Sequence, residues 1–549
     1  MRTVTITVTD EFGNVTNDPQ KHTYQLDLET KGFNGIEEAV IKFKNQMLPE
    51  LQGQLLEEEQ EEFIKKKPSS LRCNGKTPIT IKTLNGPFPF NNQRFLENNC
   101  DQSSHTYLGL TNQFEDGHVS EGLKEFTTYY ANRLSYEGTE ELVERTTGEK
   151  QLSDQSVQNT VVNKAQEVSK QVESDAKKVL DDDSLELPEI NEEVDVYNAD
   201  TKEVLILVDG IGVKKQSESR FSSKTASVDT ESDSENASSR VNSNIVLLET
   251  KTGDFEYITS AIDNEGEELL PLSDIVKSKV IKEYGNDEEP VNVVAISDGA
   301  KDIRSLLMNV FGLVIVIILD WYHLCKKVRE FMSMIARNKQ EKAEHMEFLL
   351  YNLWHGNTQE VLDYLNTKVE AKNKEKLQGL IGYIEKHKEE IIDYDRRKKA
   401  GKEVGSEPEE DADNQSPSNG KAFKKADSVE NASDNAVKRC QKDKEASLNQ
   451  EREAVDLDVH NQSSSNSEAV KKVVGSGRVE KACDSVIGKR QKHKAMSWSK
   501  IGSRSLAILK VVELNNKWLN IWFPLPIAYN DLQQAANDPC ESGELELAA

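Results

Sequence analysis

VLILV, residues 204–208, is apolar without interruption, as a strand buried on both faces of a sheet must be. Four further runs narrow the possibilities. IVLLE (245–249) and FEYITSAI (255–262) read as two strands joined by a turn through Gly253-Asp254. A helix-like DIVKSKVIKEY (274–284) leads to VNVVAIS (291–297) and a helical DIRSLLMNV (302–310) to VIVIIL (314–319); a further helix opens at Trp321. The order β-β-β-α-β-α-β-α predicts an α/β fold. Its first three strands form a meander, and right-handed crossovers then add parallel strands to a mixed five-stranded sheet flanked by helices.

That order is the one found in ribonuclease-H-like cores, although pattern alone leaves other mixed α/β folds open. It matters for two aspartates. The first strand runs into VDG, with Asp209, and the fourth into SDG, with Asp298. Both are expected where a buried strand stops, at the sheet edge where α/β folds place ligands. In this order strands one and four are neighbours, so the two carboxylates lie side by side and repel unless a cation sits between them. Mg²⁺ suits such a site, being a hard ion that takes carboxylate oxygens and keeps positions for phosphate and water. An Asp-Gly after a strand is by itself an ordinary turn; the paired placement carries the functional reading.

A third carboxylate is expected from a later helix. In KVVGSGRVE (472–480), Gly475 and Gly477 make a turn, Ser476 is placed to cap a helix starting near Arg478, and Glu480 falls in its first turn. Simple dipole complementation explains such a Glu equally well. Lys481, Lys489, Arg490, Lys492 and Lys494 crowd the same segment, as a DNA backbone beside a metal site requires. Asp320-Trp-Tyr-His323 closes strand five and opens the next helix, with Asp and His on one helical face. For zinc, two ligands and a lone Cys325 fall short of a tetrahedral set. Orientation of the site, or contact to a DNA end, is the preferred role.

With 549 residues the chain exceeds one hydrophobic core, and 30% charged against 6% aromatic residues suits folded blocks joined by acidic or polar segments. The net charge of −27 opposes DNA binding at face value. Charge is unevenly spread, however: Glu173 to Glu203 holds twelve acids and three bases, whereas Lys471 to Asn520 holds twelve bases and three acids. Six scattered cysteines without a C-x-x-C pair speak against a disulfide framework or a zinc site and for a reducing cytosol. No signal peptide shows at the N-terminus, and the longest apolar run, Phe311 to Leu319, is too short for a membrane span.

Residues 1–110 are expected to form an N-terminal α+β region: a hairpin over 1–30 about Phe12-Gly13-Asn14, a helix from Ile36 to Lys65, and strands over 77–99. Within 111–173, SYEGTEELVERTTG (135–148) and LSDQSVQNTVVNKAQEVSKQV (152–172) read as two helices, the second capped by Ser153. A helix-turn-helix DNA-binding unit and a plain helical hairpin in a core both fit. An acidic linker comes next, at 174–203. The core then spans 204–400 and 471–525, interrupted by insertions at 221–242 and 401–470, with an acidic tail at 526–549. Stretches 174–203, 221–242 and 402–470 are too polar to offset chain entropy and are expected to stay unstructured. The echo of KKAGKEVGS (398–406) in KKVVGS (471–476) marks 402–470 as an interruption whose removal leaves the fold intact.

Taken together, VDGIGVKKQ, VVAISDGAKDIR, ILDWYHLCKKV, GSGRVEKACDSVIGKRQKHKAMSWS and ELNNKWLNIWF resemble the Kra-type insertion-sequence transposases, DDE enzymes related to the Mutator group and common in cyanobacteria. LSYEGTEELVERTTGEKQLSDQ fits their upstream helical region. The resemblance implies a ribonuclease-H-like catalytic core with Asp209, Asp298 and Glu480 as the acidic triad. Asp320 and His323 then form the D-x-x-H signature. Asp320 also ends a strand, but strand order favours Asp298 as the second triad member. The same resemblance implies an enzyme using two Mg²⁺ or Mn²⁺ ions to hydrolyse phosphodiesters at transposon ends and transfer the strand to target DNA. It would work as a homo-oligomer in the bacterial cytoplasm at the nucleoid. A ribonuclease-H-like nuclease without strand transfer, and a catalytically degenerate copy that only binds DNA, are the alternatives.

Overall fold

The computed structural model describes residues 2–7, 13, 23–26, 32–97, 100–111, 118–216, 239–287, 289–404, 477–493 and 495–523. Most of the expected 401–470 insertion, most of 221–242, the 526–549 tail and most of the 1–30 turn therefore lie outside the described residues.

The protein is mixed α/β. At the N-terminus β1 (Arg2–Thr5) pairs antiparallel with β2 (Thr23–Leu26), ahead of α1 (Phe33–Lys66). A three-stranded antiparallel sheet comes next, of β3 (Leu71–Ile81), β4 (Phe88–Glu97) and β5 (Cys100–Thr106). Its core of Ile81, Phe88, Phe90 and Phe95 is separate from the main one.

The main sheet holds β6 (Val204–Lys214), β7 (Arg240–Glu249), β8 (Phe255–Ile258), β9 (Val293–Ser297) and β10 (Val316–Leu319), in the spatial order β10-β9-β6-β7-β8. β6 runs antiparallel to β7 and parallel to β9, and β9 runs parallel to β10. The expected neighbours are thus adjacent. Alternation decides which side each residue covers: Val204, Ile206 and Val208 of β6 face one core, Leu205, Leu207, Ile211 and Val213 the other. The first core is closed by α6 (Leu272–Tyr284) and α7 (Lys301–Phe311). A helical layer that includes α8 (Trp321–Ile335) closes the second. Burial on both faces explains why these strands read as unbroken apolar runs.

Several expectations change. The strand over 255–262 ends at Ile258, because Ile262 instead bridges Glu268 around a turn at Asp263 to Gly266. The acidic stretch 174–203 is structured. α5 (Asp154–Leu180) continues into it, Ile190 pairs with Val291, and Val196 is buried. Composition misleads here because the acids find partners: Glu203 accepts from Arg397 and Lys402, both buried. Likewise Lys402 and Val404 belong to the core rather than to an insertion, and Arg240 to Asn242 belong to β7.

The two expected helices are present as α4 (Tyr136–Thr147) and α5, capped by Ser135 and Ser153, with an additional α3 (Glu121–Ala131) before them and a single-turn α2 (Tyr107–Leu110) after β5. They do not form a separate unit. Leu123, Ala131, Val143, Val157, Val161 and Ala165 share one core with the main sheet.

Between β10 and the last described segment stand α8, α9 (Lys339–Trp354), α10 (Thr358–Thr367), α11 (Lys374–Lys386) and α12 (Tyr394–Lys399). Tyr394 ties them to the sheet: its hydroxyl donates to Leu319 O at 2.8 Å and its ring packs on Trp321 and Trp354. After the insertion come α13 (Arg478–Cys483), a π-helical turn (Asp484–Gly488), α14 (Lys489–Gln491), α15 (Lys500–Leu514) and α16 (Trp518–Trp522). Among the described residues no helix is long and apolar enough to cross a membrane.

Candidate functional site

The parallel ladder between β6 and β9 ends at Val208 opposite Ser297. Asp209 and Asp298 are the next residue on each strand, so they leave one sheet end side by side, on strands roughly 4.8 Å apart. β9 stops there. β6 does not: it continues to Lys214 against β7, and Asp209 pairs with Ile245, so the expected strand end at Asp209 is only the end of the parallel pairing. Both carboxylates are oriented by local amides. Gly210 N donates to Asp209 Oδ1 at 2.8 Å, and Ala300 N donates to Asp298 Oδ1 at 2.8 Å. Burial raises the Asp209 carboxyl above its ordinary range; the His323 charge opposes this and the Asp298 charge adds to it.

Asp320 joins the same end through β10. Its backbone N donates to Ser297 O at 2.7 Å, which extends the ladder by one bond past the strand. Asp320 is 3% exposed and caps α8: its Oδ1 accepts from His323 N at 2.9 Å and lies 3.1 Å from His323 Nδ1. Burial pulls the His323 imidazole down, but the hydrogen bond and charge of Asp320, with the charges of Asp209 and Asp298, hold it above its ordinary value. His323 therefore sits within electrostatic reach of both central aspartates. Cys325, by contrast, is a core side chain whose thiol burial pushes up to about 12.

Glu480 lies in the first turn of α13, as expected, but the N-cap is Gly477 with no side-chain cap, and Ser476 lies outside the described residues. α13 packs on β6 and β7 through Val479, Ala482 and Cys483. The contact nearest the aspartates is Cys483, one turn beyond Glu480, whose thiol donates to Asp209 O at 3.8 Å. Burial, then the charge of Asp209, drives that thiol far above its usual range, and the charge of Glu480 acts on it in the same sense. Among the described residues, no three His, Cys, Asp or Glu side chains converge closely enough to hold a metal ion. Asp209 and Asp298 nonetheless bring two carboxylates to one sheet end, oxygen donors of the kind a hard divalent cation takes.

The basic cluster divides. Lys481, Lys489 and Lys492 are exposed, and Lys494 lies outside the described residues. Arg490 is 6% exposed, donates to Ala131 O at 2.7 Å and lies over the Trp498 ring. It is an anchor between α3 and the final helices and cannot serve the expected DNA contact.

Side chains that sequence reading does not single out complete the surroundings. Tyr383, His387 and Glu390 come from α11 and the loop after it, and Arg304 from α7. Burial and the charges of Asp298, Glu390 and Asp320 raise the Tyr383 phenol. No periodicity marks these residues, and an i, i+3 His-Glu pair is ordinary in a polar helix end. No protein-family model matches the chain, and no curated protein matches it.

Proposed function

We propose that the chain is a DDE-type DNA transposase of an insertion sequence, built on a ribonuclease-H-like core. One observation carries the reading: Asp209 and Asp298 leave neighbouring parallel strands at the same sheet end, with the helix bearing Glu480 packed on β6 beside them. The strand order β10-β9-β6-β7-β8, with one antiparallel meander and two parallel additions, supports a ribonuclease-H-like assignment.

In this reading Asp209 and Asp298 would hold the divalent cations, and Glu480, on the helix packed beside them, would be drawn in to complete the set. When bound, two Mg²⁺ or Mn²⁺ ions supply Lewis-acid polarisation of a phosphodiester and a water of lowered pKa. The protein supplies the placement. The amides of Gly210 and Ala300 aim the two aspartates, and both residues are half-buried. Asp320 holds His323 with its Nδ1 side occupied, which presents the opposite ring edge to DNA as a donor or a proton carrier. Lys481, Lys489 and Lys492 offer exposed charge to a phosphate backbone. Hydrolysis at a transposon end frees a 3′-hydroxyl, and the same carboxylates serve its attack on target DNA. Holding two ends together calls for a homo-oligomer, working at the bacterial nucleoid.

The test is cleavage of a DNA fragment carrying both ends of the element by the purified full-length chain with Mg²⁺ or Mn²⁺. Nicks leaving 3′-hydroxyls, and then joined products, are expected. Nicks without joining would assign a ribonuclease-H-like nuclease, and end binding without nicks a degenerate copy.

A further inference from the structure

A second polar cluster abuts the aspartates from the far side of β10. His387 and Glu390 are 1% and 3% exposed. His387 Nδ1 lies 2.5 Å from Glu390 Oε2, and the other carboxylate oxygen, Oε1, lies 2.5 Å from Arg304 Nη2. Backbone bonds tie the cluster to the sheet. Leu319 N donates to Glu390 O at 2.9 Å, while Asp320 N, the next amide, donates to Ser297 O on the opposite side. The end of β10 is therefore held between β9 and the 387–390 loop.

The imidazole also meets the turn that carries Asp298. Gly299 has φ +78°, and a Cβ there would stand 2.8 Å from His387 Cε1 and 2.8 Å from Leu319 Cδ1. No other residue type fits that contact without displacing the ring. The Asp298–Ala300 turn is thus braced from outside by His387, and Arg304, on the helix that this turn begins, is tied back to Glu390. One closed circuit joins the turn, α7 and the loop after α11.

We propose that His387, Glu390 and Arg304 form a clamp that positions Asp298 for metal, His387 being the positioning residue. Glu390 accepts the Nδ1 proton and so fixes the tautomer and plane of the ring, as carboxylate-histidine pairs do at the edge of metal sites. The role rests on the transposase reading for its catalytic consequence, but the clamp itself acts on cation affinity.

Full-length wild type, Asp298→Ala, His387→Ala, His387→Asn and Arg304→Gln are to be compared by Mn²⁺ titration calorimetry, melting temperature, end-DNA affinity and the Mn²⁺ dependence of cleavage. For His387→Ala, Mn²⁺ affinity is expected to fall about tenfold, with half-saturation for cleavage rising in parallel and DNA affinity unchanged. Asn keeps a donor near the Nδ1 position and should restore most of the loss. Arg304→Gln empties no core space, so it remains informative if His387→Ala does not fold; a smaller fall, about threefold, is expected. Unchanged Mn²⁺ affinity in folded His387→Ala, or in Arg304→Gln where His387→Ala does not fold, overturns the clamp. Mn²⁺ binding that requires Asp298 and weakens in His387→Ala, in a chain that never cuts DNA, upholds the clamp and rejects the transposase. A wild type that binds no Mn²⁺ overturns the clamp.

Discussion

Glu403 and Arg478 form an ion pair, Oε1 to Nε 3.1 Å, although 75 positions separate them. Nearly all of that separation is the polar insertion, so the described segments on its two sides meet at this ion pair. Arg478 also lies over the Phe255 ring at 4.6 Å, which fixes the return point on β8.

Removing residues 405–476 and bridging Val404 to Gly477 with a short Gly-Ser linker should therefore leave a folded chain, melting within a few degrees of wild type. Long surface insertions add little closure entropy. A deletion begun at residue 402 should behave differently. It takes away Lys402, which donates to Glu203, and buried Val404, and should cost about 3 kcal/mol. Thermal melts of the two deletions, monitored by circular dichroism, separate these outcomes. Equal melting temperatures would show that the core boundary lies elsewhere.

Asp209→Ala, Asp298→Ala and Glu480→Ala should each abolish end cleavage while binding of end DNA persists. The first two remove carboxylates from the shared sheet end; the third tests whether the α13 carboxylate belongs with them. Gel-shift and nicking assays on the same preparations decide the matter, and full activity in any one variant removes that residue from the site.

For His323→Ala the three roles differ in readout. An orienting or DNA-contacting imidazole predicts slow cleavage with Mg²⁺ affinity nearly unchanged. A structural one predicts a lower melting temperature with the rate per folded molecule preserved, and zinc ligation predicts stoichiometric zinc in the wild type. Cleavage rate, melting temperature and bound metal from one preparation distinguish them.

The folded-state pKa of His323 is raised, so its contribution to stability is complete below about pH 6.5 and is lost as pH rises through the elevated folded value. In metal-free buffer the gap in melting temperature between wild type and His323→Asn should shrink as pH climbs from about 6 to about 8. A gap that widens over that range would contradict the Asp320 pairing.

The basic residues of the last segment should separate into two classes. Arg490→Ala leaves Ala131 O without its donor and empties space beside Trp498, a loss of about 2 kcal/mol in stability. Lys489→Ala and Lys492→Ala should leave stability unchanged, weaken DNA binding across sequences and lower the salt slope by about 1 each. Chemical denaturation and salt-dependent binding titrations measure both.

Much of this protein arises from local pattern. The apolar runs at 204–208, 245–249 and 293–297 announce strands because both sheet faces bury them, and Ser135 and Ser153 mark helix starts because capping is a short-range bond. Asp209 and Asp298 are legible as neighbours because few strand orders satisfy the succession of elements. Other features belong to the tertiary structure alone. Arg490 looks like its exposed neighbours until α3 is folded against it, and the 174–203 stretch looks unfoldable until Glu203 meets Arg397 from 194 positions away. The clamp at His387 is equally silent in sequence. Backbone geometry imposes a short period on apolar residues, and that period can be read. The pairing of one charge with another across the chain has no period, because proximity in the folded molecule is its only cause.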